Sequence, residues 1–272
     1  MGAFENILIC SDLDGTFIGD NLKIPKANIK AAEAFRKGGG KLTFATGRTG
    51  IGMKPYADIM KPDVPAICQN GAALYDCKKD GYIWISELSK DIAKLLQSMA
   101  DKYKSTGIEV MTTLDVYCPR HNYLTRRHAA DEDFVFKENA LSDIPEPWLK
   151  AGFVDEKEII DKIQTEIEAS EYAADYTMER TMPIYYEIFA KNADKANAVL
   201  ELSKITNTPL SQIIVLGDND NDIPMLSMPC LSLCPPSSSE RAKKSADIVL
   251  KTDNNDGILP EVLGWILKND NI

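Results

Sequence analysis

The sequence predicts an α/β protein in which a doubly wound parallel sheet is interrupted by an inserted α+β segment. Three observations carry that expectation. Short apolar runs at 7–11, 41–46 and 213–216 each stop abruptly in polar turn residues, as buried strands feeding loops do. Stretches of helical period separate them, and strand–helix alternation is the rhythm of a parallel sheet with helices outside. From about Tyr82 to Phe189 the rhythm changes to helices and strands in a different order.

In chain order, Ile7–Ser11 reads as a strand running into Asp12-Leu13-Asp14-Gly15-Thr16. A helix follows through Lys37, with Ile29, Ala32 and Phe35 at helical spacing, Pro25 suited to its first turn, and Gly38-Gly39-Gly40 ending it. Lys41–Thr46 is a second strand closing on Thr46-Gly47-Arg48, and Val64–Cys68 a third closing on Gln69-Asn70-Gly71. Ile92, Leu95, Leu96, Met99 and Tyr103 mark a long amphipathic helix. Extended segments are expected at 108–117, 123–127 and 149–154. A further helix is expected to start at Asp155, whose partner in a capping box would be Glu158, with Ile159, Ile160, Ile163 and Ile167 on its apolar face. Extended segments at 176–180 and 184–189 complete the insert. Parallel-sheet rhythm returns with a helix from Asp194 and the strand Ile213–Leu216, which ends in Gly217-Asp218-Asn219-Asp220-Asn221-Asp222. Shorter strands at 231–234 and 247–250 and a helix at 258–267 close the chain. The boundaries are a core of residues 1–83 and 190–272 and an insert of 84–189.

The 272 residues are 44% hydrophobic and 26% charged, the profile of a globular protein with a real core. A formal net charge of −10 argues against partnership with nucleic acid or an anionic membrane surface. No run approaches the roughly 18 apolar residues of a spanning helix, and the start has neither a secretory nor a myristoylation pattern, so a cytoplasmic location is expected. Six scattered cysteines without a C-x-x-C pair make a disulfide framework or thiolate metal site improbable. With only His121 and His128 present, any metal is expected to be a hard, oxygen-bound cation.

Asp12 and Asp14, two residues apart at a strand exit, converge on a small volume where like charges are costly unless a cation or a reaction uses them. The second acidic cluster, at 217–222, is not a calcium loop, because Ile223 and Pro229 stand where that loop needs Gly and Glu. Gly38-Gly39-Gly40-Lys41 lacks the spacing of a nucleotide-binding loop and is left with its helix-ending role. Two carboxylate clusters, a hydroxyl at Thr46 and available cations suit Mg²⁺ and a transferring phosphoryl group. An aspartate can be the nucleophile, and a second carboxyl can serve as acid and then base.

These motifs resemble the haloacid dehalogenase superfamily of phosphohydrolases, and most of all its Cof-type branch with a large α/β cap (class IIB) inserted mid-chain. Four motifs stand in the family's order across nearly the whole chain. The resemblance implies Asp12 as nucleophile and Asp14 as general acid/base, with the carbonyl of Asp14 as a metal ligand. It implies that Thr46 holds phosphoryl oxygens, with Gly47, Arg48 and Asn70 at the substrate, and that Lys195 balances phosphate and nucleophile charge. Lys191 is a competitor, but the family's spacing of eight residues from the Glu of a strand ending like Glu187-Ile188-Phe189 selects Lys195. Asp218 is implied as the direct Mg²⁺ ligand, supported by Asp222 and Asn221, while Asp220 belongs to the loop. One departure is the place of the family's Gly-Asn-Ala turn, where Cys234-Pro235-Pro236-Ser237-Ser238-Ser239 puts Ser237 at the Asn position.

The expectation is a Mg²⁺-dependent phosphatase for a small phosphorylated metabolite, a sugar phosphate, with the insert as the substrate-selecting cap. The alternatives are a phosphosugar mutase of the phosphomannomutase type and a metabolite-sensing protein without turnover. The basic cluster Arg120, His121, Arg126, Arg127 and His128 is either a reader of a second anionic group or, as most charge runs are, a solvated surface. Oligomeric state is left open.

Overall fold

The computed structural model describes residues 2–131 and 134–269. The chain forms two compact units, one of residues 1–84 and 194–272 and one of residues 85–193.

The first unit opens with β1 (Leu8–Ser11), α1 (Lys26–Lys37), β2 (Lys41–Phe44), α2 (Gly50–Met60), β3 (Ala66–Cys68), β4 (Ala73–Asp76) and β5 (Gly81–Ile85). The second unit holds α3 (Ala93–Lys102), β6 (Gly107–Thr112), β7 (Val116–Arg120), α4 (Tyr123–Asp131), β8 (Phe136–Lys137), β9 (Trp148–Val154), α5 (Lys157–Glu168), β10 (Tyr176–Met182) and β11 (Tyr185–Ala190). The first unit resumes with α6 (Lys195–Thr206), β12 (Ile213–Leu216), α7 (Ile223–Leu226), β13 (Leu231–Cys234), α8 (Glu240–Ser245), β14 (Ile248–Val249) and α9 (Leu259–Lys268).

Its main sheet is parallel throughout, in the order β14-β13-β12-β1-β2. Strand side chains alternate between faces, so Ile9, Ile214 and Leu216 pack with α1, α2 and α9, while Leu8, Cys10, Ile213 and Val215 pack with α6, α7 and α8. Both faces are therefore covered, which is why these strands read as continuous apolar runs. Buried Asn28 ties one layer together: its amide donates to the Phe17 carbonyl at 2.8 Å and accepts from the Leu259 N–H at 2.9 Å.

The third expected strand is placed differently. β3 pairs antiparallel with β4 in a separate sheet, β3-β4-β5, and meets the main sheet through a single parallel bridge between Ala45 and Ile67.

The second unit carries a six-stranded sheet, β10-β11-β9-β6-β7-β8, antiparallel except between β7 and β8. One face packs on α3 and α5 through Leu95, Leu96, Ile160, Ile163 and Ile167. The unit runs to Ala193 rather than to 189, because β11 continues to Ala190 and a turn closed by the Ala193 N–H on the Ala190 carbonyl precedes α6. Two expectations are corrected. Residues 123–127 are helical, since Asn122 and Thr125 cap each other reciprocally, at 2.9 and 3.0 Å, and start α4. Asp155 does not cap α5: its carboxylate accepts from the Ser105 and Thr106 hydroxyls at 2.7 and 2.8 Å.

Candidate active site

Every expected site residue lies at or just beyond the carboxyl ends of β1, β2, β3 and β12, or at the start of α6, all within the first unit. Asp12 continues β1, its N–H donating to the Leu216 carbonyl at 2.8 Å, which brings it beside the Asp218 turn at the end of the neighbouring strand. Gly15 allows that approach: it is left-handed (φ +83°), and a Cβ there would stand 2.4 Å from Asp218 Oδ2.

Lys195 is the first residue of α6, which is capped by the Asp194 carboxylate. Its side chain is completely buried, and Nζ donates to Asp12 Oδ1 at 2.6 Å and Asp222 Oδ1 at 2.5 Å. Lys191 lies exposed. Gly71 holds the start of α6 in position: with φ +101°, it lets the turn after β3 pass so close that a Cβ would stand 2.1 Å from the Asp194 carbonyl oxygen.

The electrostatics follow from burial. Burial pushes the Asp12 carboxyl well above the usual carboxylate range, and the charges of Asp222 and Asp218 push the same way against the pull of Lys195. Burial likewise, with Asp222, raises Asp218 to about 6, opposed by the Thr16 hydroxyl and Lys195. For Lys195 burial would favour the neutral amine, but Asp12 and Asp222 outweigh it and hold the ammonium above the ordinary lysine range. One cation thus sits among three crowded carboxylates.

Asp222 is fully engaged, since its second oxygen accepts from the backbone N–H groups of Asp218 and Asn219 at 2.8 and 3.0 Å. Thr16 donates to Asp218 Oδ1 at 2.6 Å, a partnership across 202 residues that sequence reading missed although Thr16 lies in the first motif. Oxygens of Asp12, Asp218 and Asp222 come within 4.8 Å of one another, and this is the acidic group among the described residues with the spacing of a metal site. Its donors are all carboxylate oxygens, the chemistry that Mg²⁺ takes and softer metals do not need. The Asp14 carboxylate is outside that group; it forms a two-pronged ion pair with Arg48, at 2.7 and 2.8 Å.

Thr46 is buried, its hydroxyl accepting from the Arg48 N–H at 3.1 Å and its carbonyl from the Asn70 N–H at 3.1 Å. The Asn70 side-chain oxygen accepts from the Asn221 amide at 3.2 Å and packs on Gly47, where a Cβ would stand 2.9 Å from it. Asp220 turns away to Ser239 and Arg241, at 2.9 and 2.7 Å. Ser237, at the family's Asn position, donates instead to Asp253 at 3.2 Å, and it is the Ser239 N–H that reaches the Asp218 carbonyl, at 2.8 Å.

Residues 9–262 match the family model of the haloacid dehalogenase-like hydrolases. The chain is 24% identical to the 5-amino-6-(5-phospho-D-ribitylamino)uracil phosphatase YcsE of Bacillus subtilis, over 96% of each protein. In fold it is similar to a haloacid dehalogenase-like hydrolase from Bacteroides thetaiotaomicron, with a TM-score of 0.83 and 20% identity over 96% of this chain and 99% of that one. It is similar also to the HAD subclass IIB sugar phosphatase BT4131, with a TM-score of 0.80 and 20% identity over the same shares. With a family model spanning nearly its whole length, this chain belongs to the haloacid dehalogenase-like hydrolases.

Proposed function

We propose that this hydrolase is a Mg²⁺-dependent phosphatase acting on a small phosphorylated metabolite, a sugar phosphate, through an aspartyl-phosphate on Asp12. The observation that carries the reading is the buried Lys195 ammonium shared by Asp12 and Asp222 beside Asp218. Its charge pulls Asp12 towards the ionised form, against the larger upward push of burial, which favours a carboxylate nucleophile. The relation in fold to a sugar phosphatase supports the substrate class.

In this mechanism an Asp12 oxygen attacks phosphorus, and the P–O bond to the leaving group breaks as the acyl phosphate forms. Asp14 gives its proton to the departing oxygen, then takes one from the water that cleaves the aspartyl-phosphate. Thr46, with the backbone at Gly47 and the side chains of Arg48, Asn70 and Asn221, orients the phosphoryl oxygens, while Lys195 offsets their charge. Arg48 also steers Asp14, to which it is paired. Asp12 and Asp218, with the Asp14 carbonyl, would hold Mg²⁺, and Asp222 would brace the site because both its oxygens are spoken for. Bound there, the ion would supply positive charge against the phosphoryl group. The second unit is proposed to select the substrate.

Phosphate release from a panel of sugar phosphates and an aryl phosphate, with Mg²⁺ or with chelator, tests the reading. Metal-dependent release that Asp12→Asn abolishes is expected. Transfer of phosphate between sugar positions without release would favour the mutase, and no release from any compound would overturn the phosphatase.

A further inference from the structure

The Asp14 carboxylate stands 44% exposed and outside the crowded group of Asp12, Asp218 and Asp222. Water and salt screen an exposed ion pair, so on its own such a pair holds a side chain weakly. The partner here is seated more firmly. Arg48 donates two bonds to Asp14, at 2.7 and 2.8 Å, and its Cζ lies 5.1 Å from the centroid of the Tyr56 ring. At that distance an aromatic face attracts a guanidinium.

The local sequence builds this seat. The Thr49 hydroxyl accepts from the Gly52 N–H at 2.8 Å and starts α2, which sets Gly52 and Tyr56 four residues apart on one helix face. Arg48 stands four residues before Gly52, and its Cβ lies 3.8 Å from where a Cβ of residue 52 would be. Its stem therefore starts over Gly52 and its head reaches Tyr56. The helix beneath is anchored at its first turn and along its inner side. The Gly50 N–H donates to the Tyr82 hydroxyl at 3.2 Å, and Gly50 lies so near Tyr75 that a Cβ would stand 2.4 Å from its ring. Tyr56 itself packs against the buried core of the first unit.

We propose that Tyr56 is a positioning residue: its ring fixes the Arg48 guanidinium, and Arg48 in turn fixes the direction in which the Asp14 carboxyl delivers its proton. The inference rests on the phosphatase reading for the role of Asp14. Tyr56 lies outside all four sequence motifs and acts only through Arg48. The seat needs the face of the ring and not the phenol hydroxyl, so phenylalanine would serve in its place. Direction matters most where the leaving oxygen must be protonated as it departs. An alkyl leaving group needs that proton, whereas a nitrophenolate leaves without it.

The test compares kcat/KM of wild type, Tyr56→Phe and Tyr56→Leu on alkyl phosphates and on p-nitrophenyl phosphate. Tyr56→Leu is expected to lose roughly fivefold more on the alkyl substrates than on the nitrophenyl one, and Tyr56→Phe to follow wild type on both. Equal losses on the two leaving groups, as a merely structural role would give, overturn the proposal, and so does a loss in Tyr56→Phe matching that in Tyr56→Leu. Tyr56→Met is the second aliphatic variant should Tyr56→Leu fail to fold. The seat is also read without turnover, from hydrogen exchange at Arg48 Nε by NMR of the intact chain, the signal being assigned by its loss in Arg48→Lys. Exchange is expected to be slow in wild type and Tyr56→Phe and roughly fivefold faster in the aliphatic variants. Should no compound release phosphate, the phosphatase reading falls and exchange alone decides: faster exchange without the ring supports the seat, and unchanged exchange refutes it.

Discussion

Replacing Lys195 by methionine keeps most of the side-chain volume and removes one charge from a site where that charge is the common partner of two buried carboxylates. Nζ is fully buried and lies 2.6 Å from Asp12 and 2.5 Å from Asp222, so water cannot replace it. Breaking a buried pair by removing one member costs about 3–5 kcal/mol, and here the loss also leaves Asp12, Asp218 and Asp222 repelling one another. Protonation limits the damage. Burial already raises the Asp12 carboxyl, and without Lys195 its proton affinity rises further, so the folded variant holds a proton that the unfolded chain has released. A group with a raised folded-state pKa costs stability as pH climbs, so the deficit is greatest at high pH and shrinks as pH falls towards roughly 4. Urea unfolding of wild type and Lys195→Met in chelator at pH 8 and pH 5, followed by circular dichroism, reads both effects. The expected loss at pH 8 is about 3–5 kcal/mol, smaller at pH 5, and partly restored by adding Asp12→Asn. A loss below about 1 kcal/mol, or an equal loss at both pH values, would refute the view that Lys195 neutralises a buried acidic site.

Two further outcomes follow from the same geometry. Asp218 rises from its ordinary 3.8 to about 6, so the metal-free protein loses stability as pH passes upward through that interval. Asp218→Asn is therefore expected to be more stable than wild type in chelator at pH 7, by at most about 3 kcal/mol, and to match it at pH 4. Urea midpoints check this, and a variant weaker than wild type at pH 7 would contradict it. Gly71→Ala places a Cβ 2.1 Å from the Asp194 carbonyl oxygen at φ +101°, which must displace the first turn of α6 and with it Lys195. Phosphate release is expected to fall at least about tenfold while unfolding stays cooperative, and a turnover number within twofold of wild type would exclude that coupling.

Much of this was legible in the chain because its parallel strands are short, buried on both faces and stopped by polar turns. That pattern alone puts Asp12, Thr46, Asn70 and Asp218 at strand ends, and the fold bears out the α/β core with an α+β insert. What escaped depended on contacts between distant residues or on competing local preferences. Tyr123 and Thr125 favour strands, and the reciprocal Asn122–Thr125 cap that overrides them is readable only once a helix is suspected. The third strand resembles its parallel predecessors in composition, but β4, next in the chain, offered it an antiparallel partner. The Thr16–Asp218 bond joins two motifs through tertiary structure alone.

The first of the described strands occupies an inner place in the sheet, between β2 and a strand that appears some two hundred residues later. During translation one edge of β1 must wait unpaired until Ile213–Leu216 has been made. The inserted unit has a separate apolar core and ends at residue 193, ahead of β12. Its prior folding removes about half of the chain that would otherwise be a flexible loop between β1 and β12, easing closure by about 0.6 kcal/mol. A chain truncated before residue 213 has no Asp218 or Asp222 and an open β1 edge, so incomplete products are inactive and adhesive together.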